Sequence, residues 1–290
     1  PRLDWIVVSY LDLKADFSGA IVARLLRYHA ERGTPIRILV TARLENAKDR
    51  ALFEGLAADF PNVQIQLFQW EPLPFASVGE RIDALHRTHH VKLFLTLSPQ
   101  PGGSRAILGG RNIHDGFLFD QALDLAAYPG LQSYGEPGEF DLNYFATYSD
   151  LEVAYRGDAW VRTLAAHVAT VWNRDYRSNV ARPFSVGVLD PALPPDQGGM
   201  RHFVSAPYLD GRALERLYVE LIDAAADSIE IVSPYLNPTP RIEAALSRAQ
   251  ARGVAVRFVA RVRLDGDLGG RLMTELNMLF VERYADRYEI

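Results

Sequence analysis

The chain opens on an apolar run, Trp5-Ile6-Val7-Val8-Ser9-Tyr10-Leu11, which reads as a buried strand. Apolar positions then move to helical spacing, with Ile21, Leu25, Leu26 and Tyr28 inside a helix from about Gly19 to Glu31. Arg32-Gly33 supplies the stop, and Ile36-Arg37-Ile38-Leu39-Val40 is the next strand. A second helix, about Ala47 to Asp59, leads into a strand over Val63 to Phe68. Strands alternating with helices predict an α/β fold, a sheet with helices on its faces.

The pattern returns late in the chain. Asp227-Ser228-Ile229-Glu230-Ile231-Val232-Ser233-Pro234-Tyr235-Leu236 echoes the opening strand, including its Ser-Tyr-Leu ending with one Pro inserted. A helix from about Arg241 runs to Arg252-Gly253, and Val254-Ala255-Val256-Arg257-Phe258-Val259 copies the segment after Gly33. The paired glycines, Gly33 and Gly253, lie 220 positions apart. Any two α/β units share strand–helix–Gly–strand grammar, but the matches at Ser-Tyr-Leu, Arg-Gly and the following Arg argue for a true repeat and two similar lobes. A helix from about Asp158 to Trp172 stands between them. The Pro- and Gly-rich stretch Arg182 to Gly199 reads as a linker or long surface loop, and Leu217 to Ile222 as a core-facing helix stripe. The expected division is a first lobe over 1–180 and the start of a second over 200–290.

The chemistry concentrates in the middle. His90-Val91-Lys92-Leu93-Phe94-Leu95-Thr96-Leu97 is strand-like, which would aim His90 and Lys92 to one face. A turn over Ser98 to Arg105 and a short strand, Ala106-Ile107-Leu108, lead into Gly109-Gly110-Arg111-Asn112, so a hairpin would bring Asn112 near His90. Displacement at phosphorus needs a nucleophile active near neutral pH, and an imidazole is one without any metal. A Lys ammonium and an Asn amide can hold the charged phosphoryl oxygens, and paired glycines let the backbone come close. An acidic partner should fix the imidazole tautomer.

These residues resemble the phospholipase D superfamily, whose signature is His-x-Lys, four residues, Asp, then a Gly-Gly/Ser-x-Asn turn. His90-Val91-Lys92 and Gly109-Gly110-Arg111-Asn112 are the matching elements. Tyr148-Ser149-Asp150-Leu151-Glu152-Val153-Ala154-Tyr155-Arg156-Gly157 looks like the family's strand after the first motif, and Ser233-Pro234-Tyr235-Leu236 with Arg252-Gly253-Val254 like the opening of its second lobe. The resemblance implies two α/β lobes, each a mixed sheet flanked by helices, with the site in the cleft between them. It gives His90 the role of nucleophile in a phosphohistidine intermediate, Lys92 and Asn112 the phosphate, and Asp150 the orientation of the imidazole. Gly109 and Gly110 would border the substrate. Tyr235 either lines the pocket or simply packs.

Two departures stand out. Leu97 occupies the signature's Asp position, with a longer turn to the glycines, and a second His-x-Lys is not seen. His90 follows Gly33 by 57 positions, and the same spacing from Gly253 falls near position 310, beyond Ile290, which reads as a truncated chain whose last residues, Arg287 to Ile290, enter a strand. The start, Pro1-Arg2-Leu3 without an initiator Met, likewise reads as processed or trimmed.

Other readings compete for the same residues. His86, His89 and His90 could ligate zinc, but no carboxylate follows at ligand spacing, so no metal and no cofactor are expected. His86 and His89 read as surface or supporting residues. Gly102-Gly103-Ser104 lacks the Lys-Ser/Thr pair of a phosphate loop, and Asp115 either orients the Asn112 turn or caps a helix. Among 290 residues there is no cysteine, which excludes disulfides and thiolate metal sites. The net charge of −5 argues against a dedicated nucleic-acid binder and tilts the substrate toward a phospholipid, with peripheral membrane association as the corresponding partner. Hydrolysis would make the protein a phospholipase, and an alcohol acceptor a phosphatidyltransferase such as a cardiolipin synthase. The rivals are a nuclease of the same superfamily and a silent phosphate-binding module.

Overall fold

The computed structural model describes residues 2–70, 72, 74–81, 88–132, 134, 145–173, 185, 202, 205, 211–264 and 268–290. They fall into two units, Pro1–Met200 and Arg201–Ile290. Apart from Ser185, the stretch read as a linker lies outside the described residues, as does His86.

The first unit is a six-stranded mixed sheet in the order β3-β2-β1-β4-β5-β6. Its parallel half comprises β1 (Trp5–Tyr10), β2 (Ile36–Thr41) and β3 (Val63–Phe68), joined by α1 (Phe17–Ala30) and α2 (Ala47–Asp59). Its antiparallel half comprises β4 (Leu93–Leu97), β5 (Arg105–Gly109) and β6 (Glu152–Arg156), with α3 (Asp158–Trp172) after it. β1 is buried on both faces because helices cover both, which explains its unbroken apolar run. Successive side chains alternate between two cores. Ile6 and Val8 pack with Leu26, Ile36, Ile38 and Phe53 under α1 and α2, whereas Val7 packs with Leu39, Leu95, Leu97, Leu164 and Trp172 under α3. Trp172 is wholly buried, and its truncation to Ala would cost about 3–5 kcal/mol.

The helices begin where side chains satisfy their first amides. Asp16 caps α1 by accepting from the Gly19 amide at 3.0 Å. Asn46 and Asp49 form a reciprocal capping box on α2.

The second unit contains α4 (Ala213–Ala224), β7 (Ser228–Val232), α5 (Pro240–Ala251), β8 (Ala255–Val259) and α6 (Leu268–Tyr284), with β7 and β8 parallel. It repeats the β1–α1–β2 grammar in detail. Gly33 and Gly253 both end a helix in the left-handed region, at φ +73° and +86°, where a side chain would be strained. Arg37 pairs with Gln64 of β3, and Arg257 forms a parallel bridge with Glu289, so a third strand position beside β8 is marked in the same place. Asn277 of α6 holds the loops after both strands: its carboxamide accepts from the Leu236 amide at 2.7 Å and donates to the Pro234 carbonyl at 2.9 Å. The α4 stripe is only partly a core face, because Ile222 is buried while Tyr218 and Leu221 are exposed.

Candidate active site

His90 and Lys92 do not lie in a strand, contrary to the expectation from their apolar setting. β4 begins at Leu93, and the residues before it form an irregular approach fixed from the side. Ser9 of β1 stands opposite Leu93, and its Oγ lies 2.8 Å from His89 Nε2. The Thr41 hydroxyl donates to the His89 carbonyl at 2.7 Å. His89 is therefore a buried clamp between β1 and β2, not a surface residue. Burial, aided by the Lys92 and His90 charges, pushes its pKa down to about 3, which keeps it neutral.

The clamp leaves His90 and Lys92 on one side. Lys92 Nζ is 2.8 Å from His90 Nδ1 and also donates to the His90 carbonyl at 3.1 Å. His90 keeps solvent access, yet the packing around its ring and the Lys92 charge hold its pKa below the usual imidazole value. The shift favours the neutral ring. Lys92 is buried, and burial pulls its pKa down to about 8 against the opposing pull of Asp150 and Asp12.

The expected β4–β5 hairpin is present, with Leu93 opposite Leu108. The Gly109 amide donates to the Lys92 carbonyl at 3.3 Å, and the Gly110 amide to the Leu151 carbonyl at 3.2 Å. The two glycines are explained by close approach. A Cβ on Gly109 would run into the Leu151 carbonyl, and one on Gly110 into the Asp150 carboxylate. Asp150 itself is exposed just before β6, and its carboxylate accepts from the Leu151 amide at 2.8 Å. It bears on Lys92 electrostatically, but no hydrogen bond joins it to His90 among the described residues. Asn112 is half-buried, and its carboxamide oxygen is buried without a hydrogen-bond partner. An unpaired polar atom beside the glycine turn is a place for a ligand or water to complete the bonding, and a half-turn of the amide would present its NH2 there.

Asp115 proves to be a helix cap supplied from a distant loop. Its carboxylate accepts from the Ser18 amide at 2.8 Å and the Ser18 hydroxyl at 2.6 Å, while its own amide donates to Asp16 at 2.7 Å. This reciprocal pair fastens the segment after Asn112 to the start of α1. Tyr235 lies in the second unit, exposed on the loop after β7, where its amide donates to the Ser233 hydroxyl at 3.1 Å. Leu97 is wholly buried in the core under α3, at the opposite end of β4 from Lys92, so the missing signature Asp falls away from His90 and Lys92.

One charged cluster is invisible to sequence spacing. Lys14 Nζ donates to the Leu44 carbonyl at 2.6 Å and lies 3.0 Å from Asp12 and 3.2 Å from Asp49. Glu45 joins them through the Leu13 amide, 3.1 Å away, and burial pushes its pKa up to about 9. Asp12, Glu45 and Asp49 have ligand atoms within 4.8 Å of one another, but the Lys14 ammonium already supplies the cation between them.

Known proteins share parts of this sequence and of this fold. No family model matches the chain. The cardiolipin synthase of Halalkalibacterium halodurans is 24% identical over 262 residues, covering 90% of this chain and 45% of the relative. The cardiolipin synthase of Geobacillus kaustophilus is 27% identical over 262 residues with the same shares. Among solved structures, the phosphatidylserine synthase of Haemophilus influenzae superposes with a TM-score of 0.59 at 12% identity, covering 99% of this chain and 65% of that one. The fold is shared with that synthase structure, and His90-Val91-Lys92 with Gly109-Gly110-Arg111-Asn112 resembles the phospholipase D signature. The curated relatives it resembles are cardiolipin synthases, and it spans less than half their length.

Proposed function

We propose that the first unit carries the nucleophile of a phosphatidyltransferase acting on phospholipids. A ring nitrogen of His90 attacks the phosphorus, the bond to the leaving alcohol breaks, and a phosphohistidine forms. Lys92 and the Asn112 amide hold the phosphoryl oxygens as charge builds. The leaving oxygen takes its proton from a second acid, the role the resemblance gives to a second His-x-Lys motif. An acceptor alcohol then attacks phosphorus and the P–N bond breaks; water in its place gives hydrolysis. Asp150 supports Lys92 and the glycine turn in the unliganded protein, and orients the ring once Lys92 turns to the phosphate.

The observation that carries this reading is the contact between a buried, charged Lys92 and a neutral His90 at 2.8 Å, beside a turn open only to glycine. Transfer over hydrolysis, and lipid over nucleic acid, are supported by the names of the relatives, cardiolipin synthase and phosphatidylserine synthase. The test is incubation with phosphatidylglycerol. Release of glycerol with formation of a four-chain product supports transfer, phosphatidic acid alone points to hydrolysis, and cleavage of single-stranded DNA with no lipid turnover contradicts the reading.

A further inference from the structure

Helix α1 is apolar on two sides. Ala23, Leu26 and Ala30 are buried against the sheet. The opposite side carries Phe17, Ile21, Leu25 and Tyr28, which are 39%, 45%, 54% and 46% exposed. Their spacing by four, four and three positions sets them in one stripe, where a helix packed on a sheet normally shows polar residues. At its start Phe17 meets Phe119 edge-on at 5.9 Å, and the neighbouring Leu118 is exposed, so the stripe continues past the helix. Contiguous exposed apolar surface of this kind marks contact with something other than water.

The charge on this helix runs against that of the chain. The protein carries a net −5, yet Phe17 to Arg32 holds three arginines and one glutamate. Arg24 is exposed next to Leu25, and the Arg32 guanidinium lies 3.4 Å over the Tyr28 ring. Arg27, on the flank, is paired with Asp59. The acidic Asp120 and Asp124 lie beyond Phe119, off the helix. The stripe also begins at the end of the sheet that holds the site: the Phe17 and Ser18 amides donate to Asp115, three residues beyond Asn112.

We propose that the outer stripe of α1 docks the protein on the surface of an anionic phospholipid bilayer, with Ile21, Leu25 and Phe17 at the boundary between headgroups and acyl chains and Arg24 on lipid phosphates. The choice of partner rests on the lipid substrate proposed above. An apolar stripe interleaved with arginine is the sequence chemistry of helices that lie in a membrane interface. No helix among the described residues is long and apolar enough to cross a membrane.

The experiment is co-sedimentation with vesicles of mixed phosphatidylglycerol and phosphatidylcholine, and with phosphatidylcholine alone. The wild type is expected to favour the anionic vesicles. Ile21→Ser with Leu25→Ser should weaken binding to them at least about tenfold, and Arg24→Glu should remove most of the anionic preference. Both changes are at exposed positions, and circular dichroism checks the fold. Unchanged binding by both variants overturns the proposal, as does a wild type that ignores anionic vesicles. A shift in oligomeric mass on sedimentation velocity, with vesicle binding intact, overturns it in favour of a protein partner. A soluble short-chain phosphatidylglycerol separates the two readings. Both variants should turn it over like the wild type, whereas a wild type that binds vesicles but never turns it over leaves the docking standing and removes the enzymatic reading.

Discussion

The units β1–α1–β2 and β7–α5–β8 share a helix-ending glycine, a following arginine and a Ser after or near the first strand's end, yet they use that serine differently. Ser9 is wholly buried and reaches His89, eighty positions away, on the approach to β4. Ser233 instead closes a local turn, donating to the Tyr235 carbonyl at 3.0 Å. The cause lies on the neighbouring edge of each strand. β1 is paired with β2 on one side and with antiparallel β4 on the other, whereas β7 pairs with β8 alone among the described residues. The repeated unit is common to both, and the proposed site belongs to the antiparallel strands paired with the first of them.

The largest effect that would sharpen this contrast is at His90, the proposed nucleophile. His90→Asn should lower kcat by more than about a thousandfold, while Tyr235→Phe in the second unit changes it less than about twofold. Steady-state release of p-nitrophenol from bis(p-nitrophenyl) phosphate reads both. Lys92→Met should cost about a hundredfold to a thousandfold in kcat, the scale of one lost charge-stabilising donor. The wild-type pH profile carries the same information. Activity should rise as His90 loses its proton below the ordinary imidazole pKa, and fall as Lys92 loses its own near pH 8.

Paired glycine substitutions would separate site from scaffold more finely. Gly110→Ala meets the Asp150 carboxylate and should lower kcat about tenfold while costing about 1–3 kcal/mol of stability. Gly253→Ala meets nothing within 4 Å but is strained at φ +86°, so about 1 kcal/mol of stability should go and the rate should hold. Thermal melts beside the rate assay would distinguish them, and equal rate losses would break the comparison.

The smallest expected effect concerns the His89 clamp. Its pKa is depressed on folding, so its contribution to stability is complete above the unfolded value near 6.5 and is lost as pH falls toward 3. His89→Gln, which can still bond Ser9, should flatten the decline in urea midpoint between pH 6.5 and 4. A parallel decline in both proteins would assign the acid sensitivity elsewhere, with buried His114, held down to about 4, the next group to examine.

How much of the molecule was legible in the sequence depends on the range of the interactions. α2 and α3 were readable to their ends because caps and helical periodicity are local, and the repeat was readable because Gly33 and Gly253 answer the same backbone demand. The His-x-Lys and Gly-Gly-x-Asn elements were readable as neighbours, since the spacing in each is local: Lys92 meets His90, and the glycines sit where a Cβ would clash. Contacts across the fold were not. Nothing near His89 announces its bond to Ser9, and the Lys14 cluster draws Asp12, Leu44, Glu45 and Asp49 from two separate segments. The approach to β4 looked like strand because it runs straight into the apolar alternation of Leu93 to Leu97, while the pairing that defines the strand starts only at Leu93. Asp115 illustrates a split case: its capping chemistry was readable, but the helix it caps lies about a hundred positions earlier.

The central claim, that His90 is a nucleophile toward phosphorus, is tested most directly by trapping the adduct. With bis(p-nitrophenyl) phosphate the leaving phenolate departs without a proton, so attack by His90 needs no second acid. Rapid quenching at high pH, followed by peptide mass spectrometry, should find a phosphorus adduct on the peptide containing His90 and none in His90→Asn. Turnover by the wild type with no adduct on that peptide, or an undiminished adduct in the variant, would contradict the account.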